Sequence, residues 1–229
     1  MPHKESMLHK EPLATPIRID FVSDVSCPWC AIGLQSLQQA IARIGDAIVV
    51  DLHVQPFELN PQMPPEGQDA VAHLTEKYRI SLEQAAENGE AIRARGEQLG
   101  FRFDMDKRRR VYNTFDAHRL LHWAGLEGGG YQLALKQVLL RAYFSDGEDV
   151  SDHATLARLA EQAGLDATRA RVMLAIGQYA DEVRARERFY TDNGIHAVPA
   201  VILDQRHLIS GGQPVEVFEG ALRQLAAAG

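Results

Sequence analysis

The sequence predicts an α/β protein in which a sheet domain is interrupted by an all-helical insertion domain. Three observations predict this fold class. Residues 17–60 have strand, helix and strand character in turn, residues 61–193 have helical character with no convincing strand, and strand character returns after residue 194. The predicted order is β-α-β, a helical insertion and β-β-α, so that residues 17–60 and 194–229 together form the sheet domain.

The leader and the net charge indicate where such a protein would act. Residues 1–16 are polar, carry prolines and mixed charges, and contain no apolar run like the core of a secretory signal. We therefore expect a flexible leader and a cytoplasmic protein. No later stretch reaches the roughly 20 apolar residues that span a bilayer. The net charge of -7 argues against nucleic-acid and anionic-membrane partners, because both need a basic surface.

The first elements form a β-α-β unit. Residues 17–22 alternate apolar side chains with Arg18 and Asp20, which is typical of a strand. Apolar residues then recur at helical spacing up to Gly45, namely Ile32, Leu34, Leu37, Ile41 and Ile44. Residues 47–54 are a β-branched run that ends near Pro56, and they predict the second strand. The segment between first strand and helix holds both cysteines of the chain.

The insertion is predicted to contain about five helices. Ser81 and Gln84 have the spacing of a capping box, and Gly100 suits the left-handed residue that ends a helix. Three helices are predicted to end at or near a glycine, over residues 112–124, 131–144 and 151–164, the last of them capped by Ser151. A final helical stretch is predicted from Asp166 to Asn193.

The last segment completes the sheet domain. Residues 198–203 and 207–210 have strand character and are separated by a turn-like tripeptide. Pro214 begins a final helix, for which we expect one apolar side formed by Val217, Phe218, Leu222 and Leu225.

The segment Cys27-Pro28-Trp29-Cys30 carries the predicted chemistry. A thiolate is the attacking species in disulfide exchange, and a helix N-terminus favours a negatively charged sulfur. We expect Cys27 to be the more exposed nucleophile and Cys30 to resolve the mixed disulfide from one helical turn below. Pro28 suits the first helical position, and Trp29 offers an apolar face to a substrate.

Zinc binding is the alternative use of a Cys-x-x-Cys pair. The chain has nine histidines that could complete such a site, but no second closely spaced ligand pair follows. We therefore favour a redox pair and expect no metal. A non-catalytic binding module clipped by zinc is kept as a hypothesis from another class.

Two further features concern substrate binding. Pro199 stands at a strand start, which suits a cis peptide bond, and a cis Val198-Pro199 bond facing the cysteines would leave the Val198 backbone free to pair with an extended substrate. Asn113, in the insertion, is a candidate for lining the groove opposite Cys27. The substrate is expected to be a protein or low-molecular-weight thiol or disulfide.

Together these motifs resemble those of DsbA-type proteins with a thioredoxin-like fold and a helical insertion, and in particular the FrnE-like group named after frenolicin biosynthesis. The resemblance rests on residues 20–24 before the cysteines and on four further segments, which are Pro56-Phe57-Glu58-Leu59-Asn60-Pro61, Asn113 to Leu120, Ala142-Tyr143-Phe144 and Gly194 to Pro199. It implies disulfide oxidoreductase or isomerase activity, with Cys27 as nucleophile and Pro199 as the cis-proline. The redox-active Cys27-Cys30 disulfide would need no other cofactor.

The resemblance also concerns a residue for proton relay and an alternative activity. Thioredoxin-like sites commonly hold a buried carboxylate that relays the proton of the resolving thiol, and Asp20 and Asp24 are the candidates here. Kappa-type glutathione transferases and 2-hydroxychromene-2-carboxylate isomerases are similar in architecture but carry serine at the nucleophile position. Both cysteines are present here, which favours dithiol chemistry, although glutathione is kept as a candidate ligand.

Overall fold

A computed structural model describes residues 16–128 and 130–228, which leaves almost all of the predicted leader outside the described residues. The first segment folds as β1 (Ile17–Ser23), α1 (Pro28–Ile44) and β2 (Val50–Pro56). A 3-10 turn at Gly45–Ala47 lies between α1 and β2. The prediction that the second strand begins at Ala47 is therefore wrong, because this turn absorbs the residues just before the strand.

The insertion contains two very short strands and more helices than predicted. β3 (Gln68–Asp69) pairs antiparallel with β4 (Arg110–Val111), and neither strand was predicted. Within the described ranges seven α-helices follow one another, and none is long and apolar enough to cross a bilayer. These are α2 (Ala70–Tyr78), α3 (Leu82–Gln98), α4 (Phe115–Glu127), α5 (Tyr131–Arg141), α6 (His153–Gln162), α7 (Ala167–Ala175) and α8 (Ala180–Asp192).

Hydrogen bonds and backbone conformation at the helix ends test the predicted caps. Ser81 accepts a hydrogen bond from the backbone N–H of Gln84, and the Gln84 side chain accepts one from Ser81, so the capping box is confirmed. Gly100 has a φ of +76°, the left-handed conformation expected after a helix. Asp152, and not Ser151, caps α6, because its carboxylate accepts the N–H of Thr155.

Several helix boundaries differ from the prediction. α4 begins at Phe115 and not at residue 112, and α5 ends at Arg141, before a π-helical turn at Ala142–Asp146, and not at residue 144. α4 continues through Gly125 to Glu127, so the predicted end at residue 124 is wrong. The single helix predicted from residue 166 to residue 193 is divided into α7 and α8. Gly177 and Tyr179 lie between these two helices. Each has a positive φ, and a residue in that conformation cannot continue a right-handed helix.

The last segment consists of β5 (Ala200–Leu203), β6 (His207–Ser210) and α9 (Val215–Ala228). The four-stranded sheet has the order β2-β1-β5-β6, in which β1 and β2 are parallel and the other pairs are antiparallel. Phe218 and Leu222 of α9 are buried as expected. Val217 is 43% exposed, so its predicted place on the apolar side is wrong.

One large apolar core joins the sheet to the insertion. Side chains of β1 such as Ile19 and Phe21 belong to the same cluster as Leu120 of α4 and Leu139 of α5. A smaller cluster joins Val22 of β1 to Tyr190 of α8, together with Ile195 and Ala200. The helical insertion therefore packs directly beside the strand that leads into the cysteine motif.

Candidate active site

The cysteine pair lies where β1 gives way to α1, as the sequence predicts. Cys27 is the N-cap of α1 and its Sγ accepts the backbone N–H of Cys30 at 3.3 Å, while Pro28 occupies the first turn. Both cysteines are free thiols. Cys27 is 4% exposed and Cys30 is fully buried, so the order of exposure matches the order of the predicted roles.

The Cys30 thiol is held in its protonated form. Burial raises the pKa of Cys30 well above its usual range, and the hydrogen bond and charge of Cys27 raise it further. The charge of Lys136 acts in the opposite direction. A resolving cysteine of this kind needs a group that takes its proton before it can attack a disulfide.

The Val198-Pro199 peptide bond is cis and faces the nucleophile. The Cys27 thiol contacts the Val198 carbonyl oxygen at 3.7 Å, with the S–H as donor. A Cβ at Gly33 would lie 3.0 Å from the Pro199 ring and 3.4 Å from the Gly212 backbone. Glycine at position 33 therefore allows α1 to approach the proline loop closely, which brings the two predicted features together.

Trp29 is the large apolar side chain next to the thiols. Its side chain is 44% exposed, and its carbonyl oxygen lies 3.0 Å from where a Cβ of Gly212 would be. An exposed tryptophan beside a thiol is an apolar contact surface for an incoming chain.

Asp24 lies between β1 and the cysteines and is fully buried. Its carboxylate accepts hydrogen bonds from Leu59 N at 2.8 Å, from the Ser26 hydroxyl at 3.0 Å and from Ser26 N at 3.4 Å. His118 Nε2 of α4 contacts it at 3.2 Å. Burial alone would raise the pKa of Asp24. The hydrogen bond with His118, the charge of His118 and the hydrogen bond from the Leu59 amide together outweigh burial, so the pKa is lowered. Asp24 is therefore a buried anion.

Asp20, the other candidate relay, has different partners. Its carboxylate accepts bonds from Arg18 at 2.9 Å and from Gln55 at 2.7 Å. Burial raises the pKa of Asp20, but these bonds and the Arg18 charge lower it overall. Burial raises the pKa of Cys30, and a hydrogen bond from the Asp24 backbone, not from its carboxylate, acts in the opposite direction.

Asn113 makes its hydrogen bonds away from the cysteines. Its amide N–H donates to the Met63 carbonyl at 3.1 Å, and its Oδ1 accepts the Phe115 N–H at 2.9 Å. These two hydrogen bonds hold the start of α4. Asn113, Met63 and Phe115 also line a cavity of about 250 Å³. No hydrogen bond found in residues 16–128 and 130–228 links Asn113 to Cys27.

Sequence reasoning missed Lys136, which is fully buried in α5. Its amine has no hydrogen-bond partner within the part of the chain that the structure describes. A signal existed, because Lys136 lies at helical spacing from Leu133 and Leu140 and so falls on the apolar side of its helix.

A second missed cluster surrounds Glu58, which follows β2. Arg184 of α8 contacts both Glu58 and Glu187, the latter at 2.8 Å, and lies 3.6 Å above the Phe115 ring. Burial, together with the charge of Glu187, raises the pKa of Glu58 to about 7, against the opposing charge of Arg184. One oxygen of each carboxyl is buried without a hydrogen-bond partner among the described residues.

No metal cluster accompanies the cysteines in the described ranges. Among residues 16–128 and 130–228, no group of three or more histidine, cysteine, aspartate or glutamate side chains is placed to hold one ion. The alternative of a zinc clip thus finds no completed ligand set there.

A four-stranded sheet with a dithiol at a helix start, a facing cis-proline and a helical insertion defines a thioredoxin-fold protein. Residues 18–223 match the family model described as the DSBA-like thioredoxin domain. The chain belongs to this family of thiol–disulfide oxidoreductases, and the predicted thioredoxin-like fold with an inserted helical region is confirmed.

Individual relatives agree with this membership. A structure described as a probable DsbA oxidoreductase from Streptomyces coelicolor is 37% identical with a TM-score of 0.82, covering 93% of this chain and 90% of that one. The uncharacterized protein YwbO of Bacillus subtilis is 27% identical over 207 residues, which are 90% of this chain and 96% of YwbO. The cytosolic disulfide reductase DsbM of Pseudomonas aeruginosa, solved with GSH, shares the fold at 17% identity and a TM-score of 0.60, covering 91% and 98% of the two chains.

Proposed function

We propose that this protein exchanges disulfides through Cys27 and Cys30, with Cys27 forming the mixed disulfide and Cys30 resolving it. The observation that carries the proposal is the position of the Cys27 sulfur. It lies at the N-terminus of α1, accepts the Cys30 N–H, and contacts the carbonyl oxygen that precedes the cis-proline. A sulfur in this place accepts a hydrogen bond from the first turn of the helix and lies next to backbone that an extended substrate can pair with.

The reaction follows from the two positions. In the oxidising direction, a substrate thiolate attacks Cys27 of the Cys27–Cys30 disulfide, and Cys30 leaves as a thiolate that takes up a proton. A second substrate thiolate then displaces Cys27 and completes the substrate disulfide. The reducing direction reverses each step, and the reduction potentials decide which direction prevails.

The substrate class is a thiol or disulfide on a protein or a small molecule. The exposed Trp29 and the backbone at Val198 support a peptide-like substrate. Glutathione is the small-molecule candidate, since it is named with the solved DsbM. We further propose the FrnE-like subgroup, on the motifs around the cysteines and Pro199, and a cytoplasmic location.

Trapping the mixed disulfide tests the proposal. Cys30→Ser should accumulate a one-to-one adduct on Cys27 when incubated with a disulfide-containing peptide or oxidised glutathione, as intact-mass spectrometry would show. Cys27→Ser, the matched control, should form none, and the wild-type protein should form the internal disulfide.

Three results would contradict it. One is the absence of any Cys27 adduct in Cys30→Ser. Another is stoichiometric zinc with no disulfide after mild oxidation, which would support the binding module. The third is glutathione transfer to an electrophile that proceeds unchanged in Cys30→Ser, which would support transferase-like chemistry.

A further inference from the structure

A cavity at the edge of the sheet lies apart from the cysteine pair. Its volume is about 310 Å³, which is within the range of small-molecule sites and near its lower end. The walls come from β2, α4, the start of α5 and α8, and β1 contributes Arg18. Neither cysteine lines this cavity, nor does Val198 or Pro199. A ligand bound here would therefore occupy a different place from a substrate of the dithiol.

The charged part of the lining is basic. Five basic residues line the cavity, namely Arg18, His53, His118, His122 and Arg186. Among residues 16–128 and 130–228, no aspartate or glutamate lines it. The whole chain has a net charge of -7, so this lining is opposite in sign to the protein as a whole. Basic side chains around a concave site raise the local concentration of anions, which indicates an anionic ligand.

Most of these basic groups already have an acidic partner within the protein. Arg18 donates from two nitrogens to the two carboxylate oxygens of Asp20, each at 2.9 Å. The His53 ring contacts a carboxylate of its own strand at 2.8 Å. Arg186 is exposed and forms no ion pair with any residue that the structure describes, in contrast to Arg184 on the same helix. Arg186 is therefore the arginine of the lining whose charge remains available to a ligand.

The cavity also has an apolar part. Leu121 and Leu126 of α4 line it together with Pro56 at the end of β2. Leu126 is 62% exposed, so its side chain is open to a molecule that enters the cavity. The Gln132 side chain, which also lines the cavity, is already bonded to both backbone groups of Val54, at 2.9 and 3.1 Å. The lining thus offers a ligand hydrocarbon contacts as well as positive charge.

We propose that this cavity binds a small organic carboxylate with an apolar body, whose carboxylate pairs with Arg186 and whose body contacts Leu121 and Leu126. A guanidinium group matches a carboxylate in shape and can donate to both of its oxygens. One arginine without an acidic partner balances one negative charge, and this favours a carboxylate over a phosphate ester, which carries nearly two. Binding is non-covalent and does not involve either cysteine.

Titration of the full-length, reduced protein with benzoate tests the inference, with the amide chemical shifts of isotope-labelled protein as the readout. We expect saturable shifts for residues of β2, α4 and α8 around the cavity. Benzamide has the same shape without the negative charge, so it should bind roughly fivefold or more weakly, which is the size expected for loss of a hydrogen bond between charged groups. Inorganic phosphate should not displace benzoate at equal concentration.

Matched variants assign the binding to this cavity. Arg186→Gln should weaken benzoate binding by about the same factor without changing Tm, because Arg186 is exposed and forms no ion pair in the part of the chain that the structure describes. Arg188→Gln removes an exposed arginine of the same helix that does not line the cavity, and it should bind benzoate as the wild type does. Leu126→Ser should weaken benzoate binding through the loss of an apolar contact.

Four results would overturn the inference. They are a titration with benzoate that does not saturate, equal binding of benzamide and benzoate, unchanged benzoate binding in Arg186→Gln, and displacement of benzoate by inorganic phosphate at equal concentration. The last result would mean that the cavity recognises charge alone. None of them bears on the proposed function, because disulfide exchange at Cys27 should continue in Arg186→Gln and Leu126→Ser.

Discussion

Replacing Glu58 by Gln should stabilise the protein at alkaline pH and have little effect in acid. Glu58 is buried beside Glu187, and these two causes raise its pKa to about 7 in spite of Arg184. The unfolded chain releases this proton near the ordinary carboxyl value of 4.5, whereas the folded chain keeps it to about pH 7. Since the folded state binds more protons across this interval, stability falls as the pH rises from 4.5 to 7 and is level above it.

The size of the effect follows from the two pKa values. Moving a carboxyl from 4.5 to about 7 corresponds to roughly 3 kcal/mol, because each factor of ten is worth 1.36 kcal/mol. Glu58→Gln removes the titration but keeps the shape and one acceptor oxygen. For a chain of this length, roughly 3 kcal/mol is a rise of about 6–12 °C in Tm. We expect that rise at pH 8 as an upper limit, and almost none at pH 4.5.

Thermal unfolding of the wild type and Glu58→Gln, both fully reduced, at pH 4.5 and pH 8 measures the difference. Glu161→Gln, at an exposed position of α6, is the matched control and should show no pH-dependent gain. A rise in Tm of equal size at both pH values, or a lower Tm at pH 8, would refute the reasoning. The second result would mean that the ion pair with Arg184 outweighs burial and the charge of Glu187.

Two more substitutions follow from the site geometry. Asp24→Asn should cost about 3 kcal/mol at pH 7 by chemical denaturation, because it removes one member of a buried charged network. The lowered pKa of Asp24 stabilises the folded state above the pKa of the unfolded chain, which is near 4. The difference in free energy of unfolding between Asp24→Asn and wild type should therefore decrease only below about pH 4. A decrease near neutral pH would contradict this. Gly33→Ala should cost roughly 1–3 kcal/mol relative to Gly220→Ala, since a Cβ at Gly33 crowds Pro199 at 3.0 Å and one at Gly220 meets nothing within 4 Å. Equal urea midpoints for the two glycine variants would show that the proline loop yields freely.

Local patterns predicted the elements that depend on local chemistry. The strand β1 and the capping box at Ser81 were both predicted correctly from residues close together in the chain, although β1 is buried along nearly its whole length and not on alternate residues. β3 and β4 are only two residues long, which is too short for any periodicity to appear. The break between α7 and α8 includes Tyr179 in the left-handed conformation, which an ordinary side chain gives no reason to expect.

In the active site, too, local motifs could be predicted from the sequence and contacts between distant residues could not. The cysteine spacing and the Val198-Pro199 dipeptide are local motifs, and the structure brings them together. The contact between Asp24 and His118 joins residues 94 positions apart, so their pairing depends on how α4 docks. Sequence alone offered Asp20 as the nearest counterpart of the relay carboxylate and Asp24 as its rival, and the surroundings of each carboxylate depend on packing that the sequence does not show.

Two charged side chains of the insertion contribute to the electrostatics around the dithiol. His118 of α4 stabilises the Asp24 anion, and Lys136 of α5 opposes the rise in the pKa of Cys30. Both helices belong to the same apolar core as β1. Because a buried charge interacts over several ångströms with little screening, a shift of α4 or α5 relative to β1 would change the proton affinity of Cys30 without touching either sulfur. The insertion therefore acts on the cysteine pair through charge.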